Sequence, residues 1–111
     1  MAKCKWCEKS SFLLKVSKDG LCQRCQLKIS GHASSILRVV NESSSIIDRT
    51  KRIDVKLRRL DIIRLRVSTL LPYEQRGIPT IKPSPSTLLK KCTVMEQEIR
   101  QGQVTVNGRL L

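Results

Sequence analysis

The chain has 111 residues with one Trp, one Tyr and one Phe, and its 22 Lys and Arg against nine Asp and Glu give a formal net charge of +13. So short and aromatic-poor a chain makes one small domain, or a small module with an appendage, rather than a large globular core. No apolar run approaches the roughly eighteen residues that span a bilayer, which excludes a membrane-spanning helix. The positive excess calls for a polyanionic partner, although basicity alone does not separate DNA from RNA or from any other anionic surface.

The first element is written in cysteine. Cys4-Lys5-Trp6-Cys7 and Cys22-Gln23-Arg24-Cys25 are two C-x-x-C pairs separated by fourteen residues. Each such turn presents two thiolates to one ion, and four soft ligands close a tetrahedron around one structural Zn2+. Redox dithiols and a disulfide framework are the alternatives. The first lacks a thioredoxin-like βαβ pattern, and the second fits poorly with a chain that opens Met-Ala-Lys-Cys without a signal peptide, so a cytoplasmic location is expected. Four thiolates and one dication would lower the net charge to about +11.

Between the pairs, residues 11–16 read as a short strand and Asp19-Gly20 as a turn. The helical pattern after Cys22 places the second pair in the first turn of a helix, so a treble clef is expected over residues 1–30, in preference to a zinc ribbon. Gly31 and His32 should kink or break that helix, leaving His32 facing solvent near a junction.

A long basic amphipathic helix is expected over residues 31–71, free of Pro and Gly from Ala33 onward. Val39, Ile46, Ile53, Leu60 and Val67 recur every seven residues, with Ile36, Leu57 and Leu71 alongside. Ser43, Thr50 and Arg64 spoil the second strip of what otherwise resembles a coiled-coil seam. Ile46, Ile53, Leu57, Leu60 and Val67 are therefore candidate partner-binding residues. The partner is the chain's own C-terminal helix, a second copy or another protein. Arg49, Arg52, Lys56 and Arg59 flank the stripe as a candidate phosphate-tracking ridge, and a solvated, salt-bridged helix surface is the plainer account. Lys3, Lys5, Lys9, Lys15 and Lys18 would extend positive potential around the cysteines.

Four prolines over residues 72–85 predict an extended linker. A final helix capped by Ser86 or Thr87 should follow and hold Cys92 as a buried or simply free thiol. Gln103 to Leu111 around Asn107-Gly108 read as a possible terminal hairpin, completing a unit over residues 86–111. The expected fold is thus mostly α, with a small N-terminal zinc finger of the treble-clef type (a β-hairpin plus helix), a long central helix and a short C-terminal helix. No phosphate-binding glycine loop, nucleophile elbow or paired-carboxylate signature is present, so no catalytic residue is named and no enzyme is expected.

Cys4-x-x-Cys7, Phe12-Leu13-Leu14-Lys15 and Asp19-Gly20-Leu21-Cys22-x-x-Cys25 resemble the treble-clef-type finger at the front of uncharacterised bacterial and phage proteins. The likeness continues through Leu70-Leu71-Pro72-Tyr73-Glu74-x-x-Gly77-Ile78-Pro79-Thr80-Ile81 and Pro83-Ser84-Pro85-Ser86. Some such proteins carry the unit beside a nucleic-acid-associated module such as a HIRAN domain. The resemblance implies zinc ligation by Cys4, Cys7, Cys22 and Cys25 and implies no activity. Two functional readings follow: a nucleic-acid-binding module that takes duplex DNA, or a protein-interaction adaptor or homodimer using the apolar strip.

Overall fold

A computed structural model of the chain describes residues 2–11 and 14–101. Its longest element is helix α1, Gln23–Arg49, whose buried positions Cys25, Ile29, Ala33, Ile36, Val40, Ser43 and Ile47 advance by threes and fours along one stripe. The helix runs straight through Gly31 and His32. An exposed glycine in a helix weakens it without breaking it when the neighbouring turns are anchored by packing, and Ile29, Ala33 and Ile36 supply that anchor. The expected boundary between residues 30 and 31 therefore falls inside one helix that joins the cysteines to the rest of the fold.

The expected single helix to residue 71 is instead two helices. α1 stops at Thr50, and α2, Ile53–Ser68, begins three residues later. The Thr50 hydroxyl accepts the Arg52 backbone N–H at 3.2 Å, a local bond that competes with continuing the helix. The two helices close as an antiparallel αα-hairpin, with His32 of α1 bonded to Thr69 just past the end of α2. α2 buries Lys56, Leu60, Ile63 and Val67. Of the seven-residue repeat only Leu60 and Val67 are buried; Val39 and Ile46 are half-buried and Ile53 is exposed, because α1 turns the neighbouring stripe inward.

Residues 72–85 are not an extended linker. Pro72 starts a short helix, α3, Leu71–Gln75, because the first turn has no use for its missing N–H. Gly77, at φ +72°, then closes it in a Schellman pattern. Ile78 N–H donates to Tyr73 O at 2.9 Å and Gly77 N–H to Glu74 O at 2.9 Å. Ile78 and Ile81 turn into the core, and the Lys82–Pro83 bond is cis. The last helix, α4, Pro85–Arg100, begins with Pro85 after Ser84, so neither Ser86 nor Thr87 is the cap. Ser86 instead donates from both its N–H (3.2 Å) and its hydroxyl (3.1 Å) to the Glu74 carboxylate, tying α4 to α3.

α2 lies between α1 and α4. α4 contributes Leu88, Cys92, Met95 and Ile99 to the core. Arg64, which interrupts the apolar strip in the sequence, bridges the helices: it donates to both Glu96 oxygens at 3.0 and 3.2 Å and to the Cys92 carbonyl at 3.4 Å. The molecule measures 58 × 19 × 17 Å with a radius of gyration of 17.1 Å, against about 13 Å for a compact chain of this length. The cysteines sit at the α1 N-terminal end of this rod and the hairpin turn at the other. No helix among the described residues is long and apolar enough to cross a membrane. The expected terminal hairpin lies outside the described residues.

Candidate metal centre

Two strands of two residues, β1 (Ala2–Lys3) and β2 (Ser10–Ser11), pair antiparallel in the register Ala2↔Ser11 and Lys3↔Ser10. They bring the ends of the first cysteine turn together. Inside it, Cys4 N–H donates to Lys9 O at 3.1 Å and Glu8 N–H to Cys4 O at 3.0 Å. The turn closes through Glu8 at φ 63°, a left-handed conformation that a non-glycine residue adopts at a cost.

The second pair is set differently. Residues 17–20 form the turn expected at Asp19-Gly20, with Gly20 N–H donating to Ser17 O at 2.9 Å and Ser17 N–H to Leu21 O at 2.8 Å. Gly20 is at φ +79°, and a side chain there would collide with Lys5. Lys5 N–H donates to Gly20 O at 2.8 Å, stapling the two turns. The strand expected over residues 11–16 reduces, among the described residues, to Ser11 and one bridge between Val16 and Cys22; Phe12 and Leu13 lie outside them, and no hairpin is described between the pairs. Cys22 caps α1 and Cys25 sits in its first turn. The partial positive charge of the helix N-terminus faces this pair, where it would favour thiolates bound to a cation.

The four sulfurs lie within 4.8 Å of one another, so Cys4, Cys7, Cys22 and Cys25 could hold a metal ion. The Cys7–Cys22 sulfur separation is 3.8 Å, equal to the edge of a tetrahedron with metal–sulfur bonds of about 2.3 Å. Cys4, Cys22 and Cys25 are buried and Cys7 is exposed. Burial pushes the Cys4 thiol up, but backbone N–H groups of Cys22, Cys7 and Trp6 outweigh it and bring the pKa down to about 6. Burial, and then bonds to the Cys22, Cys7 and Cys4 sulfurs, drive Cys25 up to about 12. One thiolate forms readily and the last resists, as expected of four sulfurs crowded together without a cation to balance them.

A second layer holds the first turn against the helices, and sequence reasoning missed it. The Trp6 ring lies 4.6 Å from that of Tyr73. The Arg76 guanidinium covers Trp6 at 4.8 Å and donates to the Trp6 carbonyl at 2.8 Å and the Lys5 carbonyl at 3.5 Å. Behind Tyr73, the Thr69 hydroxyl donates to Arg66 O at 2.6 Å. It is therefore left to accept from His32 Nε2 at 3.1 Å. In the neutral ring Nδ1 then accepts from the Tyr73 hydroxyl at 3.0 Å. His32 is a half-buried link between helices, not a solvent-facing residue and not a member of the sulfur cluster. The signal was available: in a chain with one Trp and one Tyr, the two had few other aromatic partners.

The basic candidates fall into separate groups. Lys3, Lys5, Lys9, Lys15 and Lys18 are exposed around the cysteines, with Arg24 and Lys28 continuing along α1. Arg49, Arg52, Lys56 and Arg59 do not share one shoulder. Arg49 ends α1 and bonds Ser45 at 2.6 Å. Arg52 lies in the hairpin turn and pairs with Asp54 at 3.0 Å. Lys56 is turned inward and only 6 % exposed, and Arg59 is half-buried. Of the partner-binding candidates, Leu60 and Val67 are fully buried within the chain, Ile46 and Leu57 are half-buried, and Ile53 is exposed. Cys92 is a buried free thiol. No family profile, curated protein or solved structure matches the chain.

Proposed function

We propose that the protein is a non-enzymatic nucleic-acid-binding module, folded at one end on a single structural Zn2+ and contacting DNA phosphates through the cationic surface around that ion. Four cysteine sulfurs within 4.8 Å of one another support zinc as the metal, and a full set of four protein ligands supports a structural site without an open position for water. Cys22 and Cys25 at the start of α1 support a treble-clef-like finger of the kind the bacterial and phage resemblance implies. Free thiols in such a site fit a reducing compartment, the cytoplasm in our reading.

The observation that carries the nucleic-acid reading is the distribution of charge. Residues 1–41 hold eight Lys and Arg, all exposed, against only Glu8 and Asp19. Residues 42–62 hold six against four. The phosphate surface therefore centres on Lys3, Lys5, Lys9 and Lys15, and not on the ridge at Arg49, Arg52, Lys56 and Arg59. The adaptor reading loses its seam, because Leu60 and Val67 already pack within the chain.

The test is retention of zinc-loaded protein on duplex DNA against salt, with one zinc per chain verified by native mass spectrometry. Reversal of Lys3, Lys5, Lys9 and Lys15 to Glu should abolish retention, and the logarithmic salt slope should fall by about 0.9 for each phosphate the protein no longer neutralises. Reversal of Arg49 and Arg52 should leave most of it. Undiminished retention after the first reversal sinks the reading.

A further inference from the structure

Among the described residues, four large apolar side chains stand exposed: Leu27, Ile53, Leu65 and Val94. Leu27, 68 % exposed, lines a cavity as well. It forms one wall of a groove of ≈ 620 Å³ beside the second cysteine pair, lined also by Leu14, Lys9, Lys15, Gln23 and Arg24. Among the described residues the lining holds three cations and no acidic residue. The groove opens at the start of α1, whose positive end favours a carboxylate over a cation.

We propose that this groove docks an acidic peptide segment of another protein, with carboxylates on Lys9, Lys15 and Arg24 and an apolar side chain between Leu14 and Leu27. Charge complementarity sets the sign of the occupant, and the two leucines set its other half. A nucleic acid would satisfy the cations but would lay sugar and phosphate against leucine. An unstacked base needs an aromatic plate; among the described residues the groove lining has none, and Trp6 packs against Tyr73 and Arg76. A second copy of this chain would bring like charge to like charge. The proposal shares Lys9 and Lys15 with the nucleic-acid reading and goes beyond it in Leu14, Arg24 and Leu27, which have no part in that phosphate surface.

The experiment uses full-length zinc-loaded protein and a fluorescein-labelled dodecapeptide of Glu, Asp and Leu, read by anisotropy. The comparison probes are the same peptide with Ser for Leu and a labelled dodecathymidylate. The Leu-bearing peptide should bind at least tenfold tighter than the Ser peptide. Leu27→Ser should erase that difference, Arg24→Glu should weaken both peptides, and duplex-DNA retention by Leu27→Ser should equal wild type. Leu27 is solvent-exposed, so its replacement leaves the core intact, which a matched thermal melt verifies. Equal binding of the two peptides would reduce the groove to undirected charge attraction and overturn the proposal. Loss of dodecathymidylate binding in Leu27→Ser, with peptide binding intact, would reassign the groove to nucleic acid and overturn it equally.

Discussion

Three backbone positions show how conformation alone sets the sign of a substitution. Gly31 is exposed in mid-helix with nothing within 4 Å of a new Cβ. Gly31→Ala should therefore stabilise the protein by about 0.5–1 kcal/mol. Gly77 has equally open surroundings but sits at φ +72°, so Gly77→Ala should destabilise by about 1–2 kcal/mol through backbone strain. Glu8 is the converse case, a side chain where glycine belongs. Its contact with Arg76 is 4.0 Å between exposed groups and contributes little. Glu8→Gly should gain up to about 1 kcal/mol. Urea midpoints of the three zinc-loaded variants check all three signs.

At the scale of elements, the brace between α2 and α4 gives the fold an acid limit. Hydrogen bonding from Arg64 holds the Glu96 carboxyl below its ordinary 4.5, outweighing burial. A depressed carboxylate pKa contributes stability that is complete above the unfolded value and lost as pH falls through the folded one. Glu96→Gln should accordingly lower the urea midpoint at neutral pH and flatten its decline below about pH 4.5. A decline as steep as wild type would place the acid sensitivity elsewhere.

The helical content and the cysteine quartet were legible in the sequence, because periodicity and ligand spacing are local signals. The break at residues 50–52 was not: no Gly or Pro marks it, and Ile46 and Ile53 keep the seven-residue rhythm on both sides of a turn that reverses direction. Lys56 and Ser43 escape a stripe drawn only through apolar letters, because such a stripe skips polar residues on the buried face. Pro72 looks like a breaker in the sequence, although in a first turn proline starts a helix.

For the whole molecule, the core runs along the rod while the cysteine cluster occupies one end. Leu60, Ile63, Val67, Leu88 and Ile99 are fully or almost fully buried far from the cysteines in sequence, on α2 and α4. Removing the metal with a chelator, or replacing Cys4 and Cys7 with Ser, should leave most of the far-ultraviolet helical signal. The residues before Gln23 should lose their amide protection, because without the ion only the Lys5–Gly20 staple, the two-residue sheet and the Trp6–Tyr73–Arg76 contact hold them. Hydrogen exchange of the apo and zinc-loaded forms measures this division. Cooperative loss of protection along α2 and α4 on chelation would show that the metal supports the whole rod.

The Trp6 contact carries a consequence for observing the protein. The chain's single indole contacts the single phenol and a guanidinium, in the very turn that carries two of the four sulfurs. Its emission colour and lifetime therefore respond to whether that turn is seated on α3, free of background from any other tryptophan. If the four sulfurs take up a metal, that emission should shift in step with occupancy and give an unlabelled readout of a metal titration.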